Sequence, residues 1–398
     1  KIKILMLMVI LFITSGNACI MFTKTDGEKT LVANNEDWTN PDAKVSFEPA
    51  ENDEFGCIFF GFNFAPNVFV PQGGMNDKGL VYDGMSADHL KILNSKDKEY
   101  FEGNLIYKAM KSCSSVEEVI NLFDKYNIDF LESAQLMFVD KDGNSVIIEG
   151  DKKITKVRDY QLATNFYISQ IKEDDKIPCE RYKLADKLLQ KCETTIEDFR
   201  KILSATHQEG DWGGTQYSQI YDIKEKAIYL YHFHNYENVV KINLVDELRK
   251  GKRLIDLATL FPNTFSYKYF KRIYQQKQDN KFINILKKTL NEEGIEKAVI
   301  KFKEMRDKKK IINEYEIVEN EINDLGYSLL YSGKKSEAIE IFILNVEAFP
   351  NSWNAYDSLA EAYMINGNKK MAIENYEKSI QLNPTNEAGK KNLEKLKR

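Results

Sequence analysis

The sequence predicts an α+β fold followed by an all-α region, and two observations carry that expectation. From Cys19 to Asn235, short runs of alternating apolar and polar residues are separated by glycine- and aspartate-bearing turns and interleaved with helical periodicities. Downstream, Gly333, Ala338, Phe342 and Pro350 recur as Gly367, Ala372, Tyr376 and Pro384, each pair 34 residues apart, which is the period of a stacked helix pair. With 398 residues and 43% hydrophobic residues the chain can build two cores. Its 56 Lys and Arg against 61 Asp and Glu leave a formal net charge of −5, which argues against nucleic acid as a partner and against a basic membrane-surface patch.

Lys1 and Lys3 precede an apolar run, Ile4 to Ile13, and Gly16-Asn17-Ala18 then places small residues before Cys19, the layout of a secretory leader and its cleavage site. About ten apolar residues fall short of the roughly 20 that span a bilayer, and no later run approaches that length, so no membrane span is expected in the mature chain. Cleavage after Ala18 makes Cys19 the first residue. Such a cysteine carries its own base, because an α-amino group has a pKa of about 7.7–8.0 and sits beside the thiol. Two other readings stand beside this one. Cys19 could bear the lipid of an exported lipoprotein, although Gly16 stands where such leaders usually carry leucine, or it could be a buried core residue.

The elements follow in order. Cys19 to Glu48 reads as two strands joined at Asp26-Gly27, with Asn35 and Asp37 on one face of the second. Phe55–Val70 is dense in aromatics, the composition of a core strand or of an acyl-binding pocket. Gly73-Gly74-Met75-Asn76 forms a glycine-flanked turn into the strand Leu80–Gly84, where glycine would let backbone N–H groups approach a ligand. Residues 103–126 read as a helix pair with an N-cap near Ser115. Asp140–Ser145 is a hairpin turn and not a calcium loop, since its glycine is misplaced and the liganding glutamate is missing. A strand at 154–158 precedes Leu162-Ala-Thr-Asn165, and helices follow at Arg181–Cys192 and Thr195–Ser204. Gly213–Asp222 and Ala227–Asn235 read as a closing strand pair. His232 and His234 share a strand face there, but two histidines without a third ligand make a poor metal site. No metal and no cofactor is expected. If Cys19 stays free, Cys57, Cys113, Cys179 and Cys192 remain, and spacing does not say whether they pair.

Several of these motifs together resemble the choloylglycine hydrolase and penicillin V acylase family, the linear amide C–N hydrolases. They are Cys19 with Asp26-Gly27 and Asn35-Glu-Asp37-Trp, Gly74-Met-Asn76-Asp-Lys-Gly-Leu80, Ser115-Val-Glu-Glu-Val119, Thr164-Asn165, Arg181-Tyr182, Thr215-Gln-Tyr-Ser, Ile228-Tyr-Leu-Tyr and Asn235-Tyr-Glu-Asn238. The resemblance implies an N-terminal-nucleophile αββα sandwich, followed here by a tetratricopeptide repeat region. It implies Cys19 as nucleophile, its α-amine as base, Asp37 positioning both, the Asn76 backbone N–H and the Asn165 side chain holding the oxyanion, and Arg181 lowering the thiol pKa. The implied substrate is a small-molecule N-acyl amide of the bile acid-conjugate, penicillin V or acyl homoserine lactone kind. Asn34 stands where relatives commonly carry Arg, so one positive charge near the thiol is missing. The expected division is a leader at 1–18, a hydrolase domain at 19–250, a connecting helical segment at 251–290 and tetratricopeptide-like repeats at 291–398. The repeats suggest a protein partner, self-association or a stabilising appendage. A repeat scaffold or lipoprotein with an inactive hydrolase domain is the alternative function.

Overall fold

A computed structural model describes residues 19–65, 68–92, 98–172, 176–210, 213–312 and 317–397, so the expected leader at 1–18 lies outside the described residues. The chain forms two compact units, residues 1–271 and 272–398.

The first unit holds two antiparallel sheets. One has the order β10 (Tyr160–Ala163), β1 (Ile20–Thr25), β2 (Thr30–Trp38), β12 (Gly213–Asp222), β13 (Ala227–His232) and β14 (Asn235–Asn243), with the short β11 (Glu209–Gly210) paired to β12. The other runs β15 (Arg253–Asp256), β3 (Ala43–Glu48), β4 (Cys57–Ala65), β5 (Val68–Asn76), β6 (Val81–Ser86), β7 (Ala134–Val139), β8 (Ser145–Glu149) and β9 (Lys152–Thr155). Alternation explains the layering. Met21 and Val32 face a core shared with Val45, Phe60 and Met75 of the second sheet. Their neighbours Ile20, Phe22, Leu31 and Ala33 face the opposite way, onto α3 (Glu180–Leu189) and α4 (Ile196–Thr206). On the far side, α1 (Leu105–Ser112) and α2 (Val116–Phe123) pack on Phe59, Tyr82, Phe138 and Ile148. The result is helices, sheet, sheet, helices, the expected α+β sandwich.

Local chemistry fixes the element ends. Asp26 Oδ1 accepts from the Lys29 N–H at 2.8 Å and Gly27 takes φ +92°, which closes the β1–β2 turn. Ser115 and Thr195 cap α2 and α4 by accepting from Glu118 and Asp198 N–H groups. The Asp140 carboxylate likewise collects the N–H groups of Val116, Asp142 and Asn144, so its loop is a hairpin turn. All five thiols are free.

Four local readings change. The stretch to Glu48 contains a third strand, β3, which begins after Pro41 and joins the other sheet. The strand expected at 154–158 is β9, shifted to 152–155. Residues 253–256, expected in a connecting segment, form β15 and pair with β3 inside the first unit. Gly73 and Gly74 are required by packing: a Cβ at Gly74 would meet the Ile58 carbonyl oxygen and one at Gly73 the Asp83 carboxylate. Phe59, Phe60 and Phe62 are fully or nearly fully buried, so the aromatic stretch is core. After β14 come α5 (Leu244–Arg249) and α6 (Phe265–Asp279).

The second unit is all-helical: α7 (Phe282–Glu293), α8 (Ile295–Ile312), α9 (Glu319–Tyr331), α10 (Lys335–Ala348), α11 (Trp353–Ile365), α12 (Lys369–Leu382) and α13 (Glu387–Lys397). The 34-residue period is now geometric. Gly333 and Gly367 take φ +85° and +84° in the two inter-helix turns, while Ala338 and Ala372 are fully buried. Phe342 and Tyr376 fill equivalent core positions, and Gly326 lets the Phe342 ring approach α9. Ala298 and Phe302 occupy the same places on α8, so α7 and α8 make an earlier pair of the same kind. Among the described residues no helix is long and apolar enough to cross a membrane.

Candidate active site

Cys19 directly precedes β1 and is 7% exposed, with Sγ 3.9 Å from the Asp37 carbonyl oxygen on the neighbouring strand β2. Burial pushes its thiol well above the ordinary range, and Glu36, Asp37 and Asp83 push it further. Asp37 is fully buried at the end of β2. Its Oδ2 accepts from Arg181 Nη1 at 2.9 Å, and its Oδ1 accepts from the Thr215 hydroxyl of β12. Burial raises the Asp37 carboxyl to about 7, with Arg181 and Thr215 pulling the other way.

Arg181 stands in the first turn of α3, and its Nη2 lies 3.4 Å from Asn165 Oδ1, just past β10. Asn165 Nδ2 donates in turn to Ser86 O at 2.8 Å and lies 3.1 Å from Ser86 Oγ, at the end of β6 in the opposite sheet. The contacts therefore run Cys19, Asp37, Arg181, Asn165, Ser86, and they gather residues separated by up to 162 positions because β1, β2, α3, β10 and β6 end at one place. A continuous network of this kind fixes rotamers before any ligand arrives.

Asn76 is not part of it. Its backbone N–H donates to the Leu80 carbonyl at 2.9 Å, closing the β5–β6 turn, and its side chain donates to Met110 O and Cys113 O at the end of α1. The N–H expected for an oxyanion is already in use. Ser86, ten residues further on, is the residue of this segment that meets Asn165. Its signal was slight: a small polar residue at the end of an apolar strand.

The opposite face of β2 carries a second set. Asn34 and Glu36 point between the sheets, where both Asn34 amide atoms, Glu36 Oε2 and both Asp83 carboxylate oxygens have no hydrogen-bond partner among the described residues. Burial pushes the Glu36 and Asp83 carboxyls well above the carboxylate range, so they favour the protonated form. Asn34 thus sits among buried acids, where a cation would be strongly attracted.

The histidine pair separates. His232 ends β13 against the rings of Phe261 and Tyr267, whereas His234 lies in the β13–β14 turn at φ +64°.

The family model described as acyl-coenzyme A:6-aminopenicillanic acid acyl-transferase matches residues 23–236, more than half of the chain. The chain belongs to that family. This acyl-transferase family membership agrees with the choloylglycine hydrolase and penicillin acylase resemblance of the sequence and makes the chain an enzyme of that type. A tetratricopeptide repeat model matches residues 353–386, which are α11, α12 and their flanks. Among solved structures, two variants of conjugated bile acid hydrolase from Clostridium perfringens are similar to this chain, each with a TM-score of 0.47. One is 14% identical over 62% of this chain and 97% of its own. The other is 15% identical over 60% and 96%. No curated protein matches the chain.

Proposed function

We propose that the chain is an exported cysteine N-terminal-nucleophile hydrolase that cleaves the linear amide bond of an N-acyl amide through an acyl-enzyme. The observation that carries this reading is the continuous contact path from the Cys19 thiol through Asp37 and Arg181 to Asn165. Removal of residues 1–18 would turn the Cys19 amide nitrogen into an amine beside the thiol. On taking up the thiol proton that amine becomes an ammonium, which supplies positive charge beside a thiolate that Glu36, Asp37 and Asp83 otherwise disfavour. The amine takes the thiol proton, Sγ attacks the acyl carbon, and the leaving amine receives the proton as the amide bond breaks. Water then attacks the thioester and releases the acid.

In this reading Asp37 and Arg181 are positioning residues. Their ion pair holds the end of β2, against whose Asp37 carbonyl the thiol rests. Asn165 Nδ2, held by Arg181 through Oδ1, is the oxyanion donor once a substrate oxygen replaces its bond to Ser86. Asn76 has no part in the mechanism. Bile acid-, penicillin V- and acyl homoserine lactone-like amides are the substrate classes to test, and the repeats are proposed to contact a protein partner or a second copy.

The family description favours one variant: an amine in place of water at the thioester gives acyl transfer. The test is a chain beginning at Cys19, compared with the full chain and with Cys19→Ser, against a panel of N-acyl amides with and without an added amine acceptor. Activity confined to the chain with a free N-terminal Cys19 is expected. Full activity in Cys19→Ser, or in a chain that retains residues 1–18, would refute the mechanism and favour a repeat scaffold with an inactive hydrolase domain.

A further inference from the structure

Behind Asp37 lies a cluster that the hydrolase chemistry does not use. His207, just after α4, Glu209 in β11 and His234 in the β13–β14 turn present three ligand atoms within 4.8 Å of one another. His207 Nε2 is 2.8 Å from Glu209 Oε1, and His234 Nδ1 is 3.6 Å from the same oxygen. Metal bonds of about 2.0–2.1 Å in a tetrahedral site place ligand atoms roughly 3.3 Å apart, a value these two distances bracket.

The hydrogen bonding of His207 is informative. Its Nδ1 lies 2.6 Å from the Ser204 carbonyl, which can only accept, so Nδ1 carries a proton. In the neutral ring Nε2 is then a bare lone pair aimed at a carboxylate oxygen, and two acceptors face each other. Either a second proton or a cation must stand between them. A ring nitrogen donating to a carbonyl while the other points into a cluster is the orientation that holds metal-binding histidines. His234 Nε2 is buried and has no hydrogen-bond partner among the described residues, so this ring keeps an unused polar atom.

The backbone makes the same point. Phe233 and His234 form the two-residue turn between β13 and β14 with φ of +47° and +64°, a conformation that hairpins usually give to Asn and Gly. Bulky residues held there store strain, and the strained turn is what delivers the His234 imidazole to His207, with ring centroids 5.2 Å apart.

We propose that His207, Glu209 and His234 form a binding site for one divalent transition metal of the zinc class, with a coordination position left open to water. Two imidazoles and a carboxylate are the donor set such ions take. The site connects to the amidase machinery through backbone. Gln208, between two of the ligands, donates its N–H to Thr215 Oγ1 at 2.9 Å, and that hydroxyl donates to Asp37. Metal at this site pins β11 and the hairpin turn onto β12 and so steadies the Thr215 that orients Asp37.

The probe is Zn²⁺ itself, titrated calorimetrically into metal-free chain, with bound metal counted after dialysis. Because a free Cys19 would also bind zinc, the titration is repeated in Cys19→Ala, which separates this site from the amidase reading. One zinc per chain is expected in Cys19→Ala, with affinity at least 100-fold weaker when His234→Ala or Glu209→Gln is added to it. Glu209 is largely exposed, so Glu209→Gln and His207→Gln keep the test decisive if His234→Ala does not fold. Absence of stoichiometric zinc in Cys19→Ala, or binding undiminished by all three substitutions, would overturn the site and leave an imidazolium–carboxylate pair.

Discussion

Arg181→Gln tests the centre of the site through its pH dependence. Asp37 titrates near 7 in the folded chain against 3.8 ordinarily, so folding favours its protonated form. A carboxyl raised in this way contributes stability that is complete below about pH 4 and is lost as pH rises to about 7. Beyond that the penalty is constant, at about 4 kcal/mol for a shift of roughly three units at 1.36 kcal/mol per unit. Arg181 lies 2.9 Å away and is what keeps the carboxyl from rising further. Without it the folded pKa moves up, and the penalty continues to grow above pH 7 by about 1.4 kcal/mol per pH unit. The variant should therefore lose little stability relative to wild type at pH 6 and about 3 kcal/mol at pH 9, within the range for breaking a buried pair. Urea unfolding at several pH values, followed by circular dichroism, reads this directly. The acid limb of kcat/KM should move to higher pH in parallel. A stability difference that is flat across pH 6 to 9 would show that Asp37 does not depend on Arg181 for its charge, and the reasoning would fail.

Other substitutions probe separate parts. Asn165→Ala should lower kcat roughly a hundredfold or more, about 3 kcal/mol of transition-state stabilisation, with KM nearly unchanged; a pure KM effect in steady-state kinetics would remove it as an oxyanion donor. Asp83→Asn replaces a buried carboxyl that has no hydrogen-bond partner among the described residues and a strongly raised pKa, so stability should be nearly unchanged at pH 5 and higher than wild type at pH 9 in urea titrations. Phe342→Ala empties the position against Gly326 and should cost the repeat unit about 3–5 kcal/mol, lowering its melting transition while amidase activity measured below that transition persists.

Much of the fold and of the site was legible in the sequence, for identifiable reasons. Period-2 alternation in β1 and β2 and the 34-residue repeat are consequences of backbone geometry, so they survive in a string of letters. Cys19, Asp37, Asn165 and Arg181 were legible because their side chains recur in familiar short motifs, and the structure brings these four together. Asn76 misled because a backbone N–H gives no sign in sequence of whether it is engaged; here a turn hydrogen bond to Leu80 uses it. Ser86 was missed since its contact with Asn165 exists only when strands of different sheets end side by side. The His207, Glu209 and His234 cluster was hidden for a related cause. A turn with positive φ at Phe233 and His234, which alternation does not announce, parts His234 from His232 and delivers it to residues 25 or more positions upstream.

The two faces of β2 impose a constraint on how this domain can change. Asp37 meets Arg181 on one side of the strand while Glu36 meets Asp83 between the sheets, and the two are adjacent in sequence. Inserting one residue within β2 would exchange them, turning the ion-paired carboxylate into the core and an unpaired acid toward α3. Inserting residues in the Asp26-Gly27 turn leaves both faces as they are. Within this hairpin, length can change at the tip without disturbing the site, and the stretch from Thr30 to Trp38 behaves as a ruler whose length is set by the chemistry at its end.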